Sequence, residues 1–172
     1  MALCVRKVDR KHNWHDPRWD EPWLGINDLR ADALRDLQTE ENKLSIWEMN
    51  DDIPLSRVLA AVAASREFVA KLDFIVFEFG ILDELKMERE RVSGNTHDVG
   101  VNDRHIDLIH LSARKLSEFG ARIRAAGKAD RYYPKSVAPL IQDSVDRGFI
   151  DWNALEPRVA EKIQAQRPAG GR

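Results

Sequence analysis

One cysteine in 172 residues, Cys4, leaves no intramolecular disulfide to be made and no zinc site built on several thiolates. It sits among Ala2, Leu3 and Val5 and reads as a small packed hydrophobe. No window approaches the roughly 18 apolar residues that a membrane-crossing helix needs. The opening apolar stretch is broken by Arg6, Lys7, Asp9, Arg10 and Lys11, too early for a secretion signal. The expected location is therefore the cytoplasm, without membrane attachment.

Chemical motifs are equally scarce. Neither Gly-x-x-x-x-Gly-Lys-[Ser/Thr] nor Gly-x-Gly-x-x-Gly occurs, so nucleotide binding by a glycine-rich phosphate loop has no support. A Gly-x-Ser-x-Gly elbow is missing too. A net charge of −2 and a pI near 6.2 give no overall field that would steer nucleic acid or an anionic membrane. Any such affinity has to come from a local patch.

What is present is a well-charged globular composition, 43% hydrophobic and 33% charged, in the size range of one domain. A single globular domain over 1–165 with a flexible tail over 166–172 is expected, the tail from Pro168, Gly170 and Gly171. Strands are read at 2–8, at 43–49, where Leu44 and Ile46 alternate with Ser45 and Trp47, and at 72–79, rich in aromatic and β-branched residues. Pro54 suits a first helical turn, and the helix behind it should run to about residue 71. Strand, helix and strand in that order suggest a parallel pair joined by a crossover.

Further helices are expected at 28–37, 81–91, 134–147 and 153–165. The longest should run from Asp103 to Ala126, capped by Asn102 and ended by Gly127. The fold class is thus α/β or α+β: a small central sheet of two or three strands packed with helices, the C-terminal half helical.

Three surfaces merit attention. Trp14, Trp19 and Trp23 crowd a proline-containing loop. Tryptophan serves both to pin a loop to a core and to anchor a protein interface. Arg114, Lys115, Arg122, Arg124, Lys128 and Arg131, with Lys135 and the pair Tyr132 and Tyr133, form a basic stretch. There arginine could hold phosphate and tyrosine could stack on a base, although cations also favour helix C-termini without any ligand.

His97, Asp98 and His105 are a composite metal candidate, because a loop can fold back on the helix it precedes. His105 and His110 stand five apart, whereas paired ligands on one helix face stand three or four apart. The first functional expectation is a non-catalytic, protein-binding or regulatory protein acting through the tryptophan-rich loop. A nucleic-acid-associated protein and a metal-assisted hydrolase follow it. No cofactor is expected, and the sequence leaves the oligomeric state open.

Overall fold

The computed structural model describes residues 2–9, 14, 28–37 and 39–166. Their core is a six-stranded sheet: β1 (Leu3–Val8), β2 (Leu44–Met49), β3 (Leu72–Glu78), β4 (Arg89–Arg91), β5 (His105–Leu108) and β6 (Lys128–Tyr132). The spatial order is β4-β5-β2-β1-β3-β6, and every neighbouring pair is antiparallel. The mixed α/β class expected from the sequence is present, but the sheet has six strands rather than two or three. Three of those strands lie beyond residue 86, so the C-terminal half is not simply helical.

Strand alternation explains how one sheet supports two cores. Cys4, Val8, Leu44, Ile46, Ile75, Phe77, Ile106 and Leu108 face one layer, made by α1 (Ala31–Asp36), α3 (Gly80–Glu84) and α5 (Ala113–Ala126). Val5, Met49, Leu72 and Phe74 face the other, made by α2 (Leu55–Ala64), α4 (Val99–Asn102), α6 (Pro134–Asp146) and α7 (Pro157–Gln164). Because β3 is covered on both sides, it reads as a nearly continuous apolar run. The outer strands β4, Arg-Glu-Arg, and β6, Lys-Ala-Asp-Arg-Tyr, are charged, which discourages pairing with another chain.

The expected parallel pair of strands 43–49 and 72–79 is not formed. β1 lies between them and is antiparallel to both, so the α2 connection passes over an intervening strand. The long helix expected over 103–126 is also two elements. His105-Ile106-Asp107-Leu108 alternates well enough to pair with β2, Trp47 opposite His105 and Leu44 opposite Leu108.

His110 then takes a left-handed backbone with φ of 53°, and Ser112 caps α5 by accepting a hydrogen bond from the Lys115 amide at 3.1 Å. The helix expected over 81–91 stops at Glu84. Lys86, with φ of 49°, turns the chain into β4. The α2 helix ends at Ala64 rather than near 71, which leaves residues 65–71 as a connection into β3.

Candidate functional site

The aromatic and charged residues singled out in the sequence fall in separate places. Trp14 is buried in the first core, and its indole Nε1 donates to Asp36 Oδ2 at 3.1 Å, which fixes this residue against α1. Trp19, Trp23 and the tail over 167–172 lie outside the described residues. The basic stretch divides between α5, β6 and the start of α6, and three of its arginines hold carboxylates. Arg114 pairs with Glu118 at 2.9 Å, Arg122 with Glu84 at 2.8 Å and Arg131 with Asp73 at 2.6 Å. Arg124 is a buried residue of α5, and Tyr132 packs edge-on against Phe74. Lys115 and Lys128 belong to different elements, α5 and β6, and Tyr133 stands 54% exposed at the end of β6.

His97, Asp98 and His105 have separate engagements. Asp98 is 1% exposed, held by Arg57 through Nε at 2.7 Å and Nη2 at 2.9 Å, and caps α4 by accepting from the Val101 amide. The His97 amide donates to Ser65 Oγ. His105 lies on β5 against Trp47, ring centroids 5.4 Å apart, with Nε2 3.5 Å from Asp107 Oδ1. Its Nδ1 and the Trp47 Nε1 are both buried without a hydrogen-bond partner. Among the described residues no three histidine, cysteine or carboxylate side chains group closely enough to hold a metal.

A different site emerges where the end of β1 meets the connection between α2 and β3. Lys7, Val8 and Asp9 form one wall, residues 66–68 with 70 and 71 the other, and Asp73 the floor of an open cleft of about 390 Å³. The early end of α2 creates it, because residues 65–71 must bridge from the helix layer back into the sheet. The Arg66 amide donates to the Ala63 carbonyl at 3.3 Å, and Arg66 Nη1 donates to the Lys71 carbonyl at 3.2 Å, which ties the two ends of that bridge together. Phe68, at its apex, is 53% exposed.

Arg57, Arg89, Arg91, Arg114, Arg122, Arg131, Arg147 and Arg158 each hold a carboxylate. Among the described residues, Lys7, Arg66 and Lys71, three cations on one cleft, have no ion-pair partner. Of the lining acids, Asp73 is 3% exposed and gives both oxygens to Arg131, and Glu67 pairs with Arg158 at 3.0 Å. Asp9 acts on Lys7 and Arg66 only through space.

Among the described residues that line the cleft, Asp73 is held by Arg131 and Glu67 by Arg158, which leaves Lys7, Arg66 and Lys71 beside Asp9. Lys7 keeps broad solvent contact, yet enough protein surrounds its ammonium that desolvation pushes its pKa down, with Arg66 repelling it further. Burial lowers Arg66 as well, partly offset by Asp9 and Asp73. Each shift means that the charged form is less well solvated here than in water. An anion placed in the cleft would reverse that.

Sequence reasoning missed this site because its residues come from two distant segments, and the 65–71 segment was assigned to a helix. Its one local signal was Arg66-Glu67-Phe68, a charged triplet with an aromatic, immediately after the alanine-rich part of α2. Comparison with protein-family models, with curated proteins and with solved structures finds no match to this chain.

Proposed function

We propose that this chain is a binding protein that works by docking a partner protein, with the cleft between β1 and the 65–71 connection as the contact. The observation that carries this reading is three cations without an ion-pair partner among the described residues, Lys7, Arg66 and Lys71, lining one cleft with the exposed Phe68. Exposed aromatic and cationic side chains together suit a protein interface, where an aromatic anchor supplies buried area and charges set orientation and encounter rate. A nucleic-acid reading through residues 114–133 has less to draw on, because Arg114, Arg122 and Arg131 already hold carboxylates.

The test places a photo-crosslinking phenylalanine analogue at Phe68 in the full chain, expressed in its native host. A discrete covalent adduct to a partner protein, lost in an Arg66→Glu background, is the expected outcome. The same analogue at Val99, a remote site that is 73% exposed, serves as the control. Identical adducts from the two positions, or none from Phe68, would defeat the reading.

A further inference from the structure

Three cationic side chains lining one cleft set what an anion bound there must offer. A carboxylate carries one negative charge and only two acceptor oxygens to share among them. A phosphate monoester carries about −1.5 to −2 at pH 7 and presents three strong acceptor oxygens. The donors available match that demand. Lys7 and Lys71 supply two ammonium groups with no ion-pair partner among the described residues. Arg66 uses Nη1 on the Lys71 carbonyl and keeps Nε and Nη2, the edge of the guanidinium that can bind an oxyanion with two parallel hydrogen bonds.

Asp9 opposes Lys7 and Arg66 through space, one carboxylate beside three lining cations. Asp73 is engaged by Arg131 and Glu67 by Arg158. The volume, about 390 Å³, falls in the range of roughly 300–1,000 Å³ typical of sites for small ligands. It is large enough to take a side chain along with its phosphoryl group. Phe68 at the rim can cover the apolar part of an adjoining residue.

We propose that the cleft receives a phosphorylated side chain of a partner protein, with Lys7, Arg66 and Lys71 sharing the phosphoryl oxygens. This rests on the partner-protein reading above and adds a chemical condition to it: docking is switched on by phosphorylation. Capture of a phosphorylated motif by clustered cations is a recurring mode of peptide recognition.

The experiment uses the full chain in ¹H–¹⁵N spectra, with chloride holding the ionic strength constant. Four probes are titrated: a peptide library with a fixed central phosphoserine, its serine twin, inorganic phosphate, and adenosine monophosphate. The expected result is a saturable shift of amides in 7–9 and 66–73 with the phosphoserine library. Its affinity should be at least tenfold above that for the serine twin and for inorganic phosphate. Arg66→Ala and Lys7→Ala should each lose about tenfold while the rest of the spectrum stays in place.

An equal response to the serine and phosphoserine libraries would overturn the proposal, as would silence in the cleft with all four probes. Tighter binding of adenosine monophosphate than of the peptides would also overturn it, pointing to a nucleotide instead. If Phe68 still crosslinks to a partner in an Arg66-dependent way and that partner carries no phosphate, the phosphoryl proposal fails while the partner-protein reading stands.

Discussion

Asp73, buried at the floor of the cleft, gives both its carboxylate oxygens to Arg131 across the β3–β6 register, at 2.6 and 2.7 Å. The pair binds an acid that acts on Arg66 through space to a cation on the neighbouring strand. Arg131→Gln should therefore weaken anion binding at the cleft, and Asp73→Asn should strengthen it. A unit charge about 4 Å away is worth about 1 kcal/mol in water, so each change should be roughly fivefold in Kd. Phosphate titrations of the two variants test the opposite signs, and a shift in the same direction for both would contradict the argument.

Arg57 is a structural clamp, and its removal should be read in stability. Its guanidinium holds the buried Asp98 with two hydrogen bonds and lies 3.6 Å over the Phe149 ring, joining α2, the turn before α4 and the segment after α6. Arg57→Ala leaves a buried carboxylate without its counter-ion, which typically costs about 3–5 kcal/mol. The urea midpoint at unchanged m-value measures this. A loss under about 1 kcal/mol would mean that Asp98 finds another cation.

Cys4 should be inert in the folded protein. Burial, reinforced by Glu48, pushes its thiol from an ordinary 9.0 to about 12, so almost no thiolate is available to react at neutral pH. Alkylation at pH 8 should proceed only through unfolding and become fast in denaturant. The unfolded thiol loses its proton near 9.0 while the folded one keeps it to about 12, so this group contributes stability that falls as pH rises through that interval. Rapid labelling of the native chain would contradict the placement of Cys4 in the sheet.

Two glycines should respond oppositely to alanine. A Cβ at Gly127 would lie 2.4 Å from the Ile123 carbonyl oxygen and 2.9 Å from that of Val76, both backbone atoms. The turn from α5 into β6 has no room for it, and a loss of about 1–3 kcal/mol is expected. Gly80, at the start of α3, has nothing within 4 Å, and alanine there should be neutral or stabilising by up to about 1 kcal/mol. Thermal unfolding of the two variants distinguishes the sites.

The strands that the sequence revealed are those with strong local signals. Leu3–Val8, Leu44–Met49 and Leu72–Glu78 each fall within a residue or two of the expected spans, because alternation and β-branched content require no partner to be seen. Arg89–Arg91 is three charged residues, and Lys128–Tyr132 has no large aliphatic side chain, so both exist as strands only because β5 and β3 offer free edges. His105–Leu108 was hidden by Ile106 and Ile109, whose spacing of three imitates a helix. The cleft was illegible for a related reason. Lys7 and Arg66 stand 59 positions apart in the chain, and only the β1–β3 pairing, with Val8 opposite Asp73, brings their segments together.

The most direct test of the account is the titration of the Lys7 side chain, followed by NMR of its ammonium nitrogen with and without saturating phosphate. Desolvation and repulsion from Arg66 place its pKa below the ordinary 10.5 in the free protein. Phosphate held between Lys7, Arg66 and Lys71 should raise it, because the bound dianion favours the charged form. A Lys7 pKa at or above 10.5 without phosphate, or one that phosphate leaves unchanged, would contradict the claim that this cleft is an anion receptor.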